Sequence, residues 1–97
     1  MNPPIFRPTA AADVEEAYRW YEGQRAGLGE EFLAAVSIVI ESLESCPERF
    51  PVVYRQTHRV NLRRFPYGLF YRIIDDQVII VVCMHGRRHP RRWQSRN

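Results

Sequence analysis

Between Leu28 and Leu43 apolar side chains recur at steps of four, four, three and four residues: Leu28, Phe32, Val36, Val39, Leu43. Near residue 57 the recurrence shortens to two, and Val60 and Leu62 alternate with Arg59, Asn61 and Arg63. The first spacing lines one face of a helix and the second one face of a strand. One chain of 97 residues that changes period once has room for a helical layer, a sheet layer and a single core between them. A single domain over residues 1–97 is expected.

The helical part extends upstream. Thr9 is placed to cap a helix running to about Arg25, with Val14, Ala17, Tyr18 and Tyr21 on one stripe and Asp13, Glu15 and Glu16 toward its positive end. Residues 23–29 hold Gly23, Gly27 and Gly29 and read as the turn into the second helix. Leu33 and Ile40 widen that helix's stripe, Glu30 and Glu31 suit its first turn, and Pro47 ends it after Cys46. Residues 5–7 read as a short opening strand between Pro4 and Pro8, and residues 48–56 as a loop. Residues 67–74 and 77–85 read as two strands joined by a tight turn at Asp75-Asp76. The last strand is apolar on both faces, which calls for a central place in the sheet or a second face covered by a partner. The expected fold is α+β: two layers, an antiparallel sheet covered on one face by an α-helical hairpin, in the order β-α-α-β-β-β. Phe32, Val36, Val39 and Leu43 are expected to face Leu69, Ile73 and alternate residues of the last strand.

Charge narrows the function. All 14 basic residues are arginine, which excludes lysine Schiff bases, lysine general bases and a P-loop lysine. Residues 1–48 hold three arginines against nine acids, a net of −6; residues 49–97 hold eleven arginines against Asp75 and Asp76, a net of +9. A half-chain this basic, with Tyr67, Phe70, Tyr71 and Trp93 among its arginines, points to an anionic partner, either nucleic acid or an acidic protein segment. The longest purely apolar run, residues 78–84, is too short to span a membrane, and residues 1–8 hold three prolines and no apolar stretch of the secretory kind. A cytosolic protein with Cys46 and Cys83 reduced is expected.

Other motifs reduce to ordinary structure. Gly27-Leu28-Gly29 lacks a third glycine and follows a helix, so it reads as a turn. His58, His85, His89 and Cys83 make no set of four at zinc spacing, and no metal or cofactor is expected. Glu48 is the one acid in a loop near the basic half, where a surface role outweighs a general base.

Four segments together resemble a known family: Gly27-Leu28-Gly29-Glu30-Glu31-Phe32-Leu33, Pro47-x-x-Phe50-Pro51, Arg64-Phe65-Pro66-Tyr67-Gly68-Leu69-Phe70-Tyr71-Arg72, and His85-Gly86-Arg87-Arg88-His89-Pro90-x-x-Trp93. They resemble the RelE/ParE superfamily of bacterial toxins, most closely its ParE-type, plasmid-stabilisation branch. His89 departs from the pattern, since an aspartate commonly precedes that proline. The resemblance implies a toxin held inactive by a cognate antitoxin in a type II toxin-antitoxin module. For the ParE branch it implies DNA gyrase as target; for the RelE branch, ribosome-dependent cleavage of mRNA.

A ribonuclease of this kind needs a proton carrier and stabilisers of phosphorane charge. His85 with Arg59, Arg63 and Arg72 would have to serve, because no tyrosine follows Tyr71. That incompleteness favours a non-catalytic gyrase inhibitor. On this reading Arg87, Arg88, Arg91 and Trp93 bind the target, and Arg59, Arg63, Phe70 and Arg72 bind the antitoxin.

Overall fold

The computed structural model describes residues 3–86. Strand β1 (Ile5–Phe6) leads into helix α1 (Pro8–Gln24) and helix α2 (Leu28–Ser45). A 3-10 turn (Pro47–Arg49) then precedes β2 (Val52–Tyr54), β3 (Thr57–Asn61), β4 (Tyr67–Ile74) and β5 (Gln77–His85). The five strands form one sheet in the order β1-β5-β4-β3-β2. The expected two layers are present, with the helical hairpin over one sheet face.

The sheet departs from the expectation in two ways. Its body, β5-β4-β3-β2, is antiparallel, but β1 joins β5 in parallel, Ile5 opposite Ile79 and Phe6 opposite Ile80, so the whole is mixed. Alternation shows that a segment is a strand; the direction of pairing depends on how the hairpin carries the chain back over the sheet. The segment 48–56, read as a loop, contains the 3-10 turn and β2. Val52 and Val53 are exposed on both sides of this edge strand, so no alternation marks it.

Smaller shifts have local causes. Helix α1 starts one residue before Thr9, with Arg7 at the N-cap and Pro8 in the first turn, where its preset φ fits and its missing N–H costs nothing. No acid lies in that first turn. Asp13, read as a dipole partner, instead accepts a hydrogen bond from the Cys83 backbone N–H at 3.1 Å, tying α1 to β5. The turn into α2 depends on two glycines. Gly27 sits at φ 91°, and a Cβ on Gly29 would lie 2.8 Å from the Tyr18 ring and carbonyl oxygen, so only glycine lets the helices approach this closely. The Glu22 carboxylate accepts N–H bonds from Gly27 (3.0 Å) and Gly29 (2.9 Å) and closes the N-terminus of α2.

The core lies between the layers. Phe32, Val36, Val39 and Leu43 are buried with Ala17 and Tyr21 of α1 and with Val60, Leu69, Tyr71, Val78, Ile80 and Cys83 of the sheet; Ile73 packs against them half-buried. A bulge in β5 sets which residues face this core. Phe70 pairs with Val82 and Tyr71 with Ile80, so Val81 is the extra residue. Val78 and Ile80 therefore face the helices before the bulge and Cys83 after it. Val81, Val82 and Met84 join Phe70 in a second buried cluster, with Tyr54 packed against it. Of the two causes expected for the two-sided apolar character of the last strand, the structure shows the first: β5 lies inside the sheet between β1 and β4, and its outer-face residues are buried as well.

Leu43 is fully buried. Leu43→Ala should destabilise the fold by about 2–5 kcal/mol, measured by chemical denaturation; a loss near zero would mean that the stripe is not core. Gly29→Ala should cost about 1–3 kcal/mol by forcing the helices apart at Tyr18.

Candidate functional site

The arginines predicted to act together fall in three places. Arg59 and Arg72 project from the outer sheet face, away from the helices: Arg59 pairs with Phe70, and Arg72 lies two residues further along β4. Arg63 lies beyond the end of β3, exposed in the turn that Leu62 N–H closes onto the Tyr67 carbonyl at 2.9 Å. Arg63 was expected on the strand with Arg59 and Asn61; the strand stops at Asn61 because the chain reverses there, with Arg64 at φ 71°.

His85 lies on the other side of the sheet. It pairs with Tyr67, and their rings meet edge to face at 5.4 Å on the helix-facing side. Arg72 pairs with Ile79, six residues along β5 from His85, a separation of about 20 Å at strand rise. His85 and Arg72 therefore do not converge on one phosphate. Arg59 comes nearer. Its guanidinium lies over the Phe70 ring at 5.4 Å, and its Nη2 is 3.6 Å from where a Cβ on Gly86 would stand. Arg59 and His85 both line a groove of about 310 Å³ with Asn61, Leu62, Phe65, Pro66, Tyr67 and Gly86. Of the expected catalytic set, only this pair shares a groove. Arg87, Arg88, Arg91 and Trp93 lie outside the described residues.

The motif residues have physical roles here. Gly68 leaves room for the arginine: a Cβ there would stand 3.1 Å from Asn61 Oδ1 and 3.2 Å from Arg59 Nε, and Arg59 Nε–H donates to Asn61 Oδ1 at 2.9 Å. The Tyr71 hydroxyl donates to the Pro47 carbonyl at 2.5 Å, and burial pushes its pKa up to about 12. His58 stacks on Tyr71 at 5.0 Å, and its Nδ1–H donates to the Phe50 carbonyl at 2.7 Å. The proline-phenylalanine-proline segment is thus anchored to the sheet through Tyr71 and His58.

A larger groove, about 680 Å³, opens between α1 and the end of β5, lined by Asp13, Glu16, Trp20, Tyr21, Tyr67, Cys83, Met84 and His85 among others. The sequence reading did not single it out; exposed Trp20, off the apolar stripe of α1, was its one signal. Among the described residues no group of three or more His, Cys, Asp or Glu is placed to hold a metal ion, and no helix is long and apolar enough to cross a membrane.

The two thiols differ in environment. Cys46 is exposed; Cys83 is buried, and burial together with the Asp13 carboxylate raises its pKa to about 12. Exposed Cys46 should react with a thiol reagent far faster than Cys83, which reacts only on opening. Because the folded-state pKa is raised, the Cys83 contribution to stability is full below about pH 9 and falls as pH rises toward its folded value of about 12. Alkaline denaturation of Cys83→Ala should lose that part of the slope.

Comparisons with known proteins agree with this architecture. A solved structure titled "Chromosomal ParDE TA system from P. aeruginosa" has the same fold: TM-score 0.66, 20% identity, 88% of this chain and 96% of that one covered. No match is found among curated protein sequences. The family model described as "ParE toxin of type II toxin-antitoxin system, parDE" matches residues 5–90. With nearly all of its described residues inside that match, the chain belongs to the ParE toxin family of type II toxin-antitoxin systems.

Proposed function

We propose that this ParE toxin acts in the cytosol by binding DNA gyrase, without catalysis, and that a cognate antitoxin with an acidic segment neutralises it. The observation that carries the non-catalytic reading is the placement of Arg72 and His85 on opposite sheet faces, about 20 Å apart along β5. General acid-base catalysis needs its groups within hydrogen-bond reach of one reacting centre. The antitoxin reading is supported by the charge of the outer face, where Arg59 of β3 and Arg72 of β4 project, with Arg63 exposed beyond the end of β3. An acidic segment complements such a charge. The target-binding role belongs, on this reading, to Arg87, Arg88, Arg91 and Trp93, where arginine and a ring can anchor an interface. Stabilisation of a plasmid or chromosomal segment follows from such a toxin and antitoxin being made together.

The shared groove of Arg59 and His85 favours a second reading, a ribosome-dependent mRNA endoribonuclease. Two assays separate them: supercoiling by purified gyrase, and primer extension on mRNA after toxin expression. His85→Ala should keep the fold and most of the toxicity. Truncation after Gly86 should abolish toxicity and leave antitoxin binding largely intact. Ribosome-dependent mRNA cuts that vanish in His85→Ala would establish the ribonuclease instead. Raising salt should slow antitoxin association more than it speeds dissociation, because the arginines steer encounter while apolar contacts hold the complex; a salt effect mainly on dissociation would contradict that division of roles.

A further inference from the structure

Three side chains of α1 form one stripe toward the end of β5. Asp13, Glu16 and Trp20 stand three and four residues apart, on one helical face, and all three line the groove of about 680 Å³ with His85. Helix and strand run the same way here. Asp13 accepts the Cys83 N–H, and Tyr21 meets the ring of Tyr67, the pairing partner of His85. Asp13 to Trp20 spans about 10 Å at helix rise, and Cys83 to Gly86 about 10 Å at strand rise. The groove therefore extends to the level of Gly86. It is open to solvent there: Trp20, edge to face with Tyr21 at 5.1 Å, is 59% exposed, and Glu16 is exposed beside it. The other acids of this helix are engaged. Asp13 holds the Cys83 N–H, Glu15 pairs with Arg19, and Glu22 closes the N-terminus of α2, whereas Glu16 has no ion pair among the described residues. An indole face and a carboxylate one helical turn apart complement a cation, and a guanidinium can use both at once.

We propose that this groove seats Arg87 of the chain's own C-terminal segment and so fixes the direction in which that segment leaves the sheet. Three observations select this occupant. The Gly86 N–H donates to the Pro66 carbonyl at 2.7 Å, so the pairing that holds His85 beside Tyr67 continues to the last described residue. Cys83 and His85 face the helices, and strand alternation assigns residue 87 to the same side. Charge agrees: residues 87–97 hold five arginines and no acid, while residues 1–48 carry a net of −6. The tether decides against a cation from elsewhere, because a guanidinium attached one residue beyond the groove wall competes at high effective concentration. An acidic partner segment is repelled by Asp13 and Glu16. The directing role rests on the function proposed above, in which Arg87 then serves the target by orienting the segment while Arg88, Arg91 and Trp93 face it; the seat itself does not rest on that function.

The test uses the full chain, labelled with nitrogen-15, and follows the Trp20 Nε1–H signal, told apart from that of Trp93 by Trp20→Phe. Arg87→Ala and Glu16→Gln should each shift it, and Arg88→Ala should not. In the Glu16→Gln background the shift caused by Arg87→Ala should fall by at least half. Unmoved amide signals of Val36 and Leu43 check that the core is intact in each variant. Growth inhibition on expression should drop at least tenfold in Glu16→Arg and return in part when Arg87→Glu is added, a rescue that independent structural damage at the two positions would not give. A Trp20 signal indifferent to Arg87→Ala, or moved as far by Arg88→Ala, would overturn the seat. A signal that ignores Arg87→Ala and moves only when the cognate antitoxin is added would give the groove to that partner instead. A seat present in the spectra, with full toxicity in Glu16→Arg or no return in the double variant, would overturn the directing role. Gyrase enters none of the spectral readouts, so their failure is separate from failure of the target reading.

Discussion

Four rings meet at Tyr21. It stacks on Phe32 at 5.2 Å and takes the edges of Phe65 at 4.9 Å and Tyr67 at 6.0 Å, while Phe32 meets Phe65 and Tyr67 at 5.4 Å each. The rings come from α1, α2, the turn after β3 and the start of β4, so one cluster fixes four segments relative to one another. Each such pair contributes roughly 0.5–1.5 kcal/mol beyond the area it buries. The turn it holds contains Arg64 at φ 71°, an unfavourable conformation for a residue with a side chain. Glu31 receives both Arg64 and Arg25, and those hydrogen bonds hold its pKa below the usual carboxylate range. From that turn the Pro66 carbonyl accepts the Gly86 N–H at 2.7 Å, and Tyr67 carries the His85 ring against its edge. The position of the strand end from which the basic tail departs thus depends on an aromatic cluster in the core.

The bulge at Val81 is the second constraint, and it separates architecture from recognition. Without it, strict alternation would turn Val82 toward the helices and Cys83 away. With it, the first half of β5 gives Val78 and Ile80 to the core and the second half gives Cys83, while Val81, Val82 and Met84 go to the outer face. The helix-facing surface is committed to stability. The outer face holds a second, separately buried apolar cluster, with Arg59 and Arg72 projecting on the same side.

What the sequence discloses follows from the range of each interaction. Helix α2 was legible because its stripe is long and its partner surface continuous: Phe32, Val36, Val39 and Leu43 all reached the core. Strand β2 was not, because Val52 and Val53 are exposed at a sheet edge and carry no pattern. The parallel docking of β1 was hidden too, since two residues encode no direction. At the site, arginine content pointed to an anionic partner, but alternation alone could not say that His85 and Arg72 face opposite ways. That required the pairings of Tyr67 with His85 and Arg72 with Ile79, which are long-range facts.

Neutralisation and toxicity meet at Arg59 on the proposed reading. Arg59 belongs to the outer face through its pairing with Phe70, yet its guanidinium reaches toward Gly86, the last described residue before the segment assigned to the target. It is oriented by Asn61 and admitted by Gly68, so its position is set by one residue from each of two strands. An acidic segment lying along the outer face would engage Arg72 near the β2–β3 turn and Arg59 near the strand end at once. Such a segment needs no contact with the target-binding residues to interfere with them, because drawing Arg59 toward a carboxylate alters the surroundings of Gly86, where the tail begins. The antitoxin can then act by position rather than by direct competition, and the spacing of the two arginines along one face sets the length of the segment required.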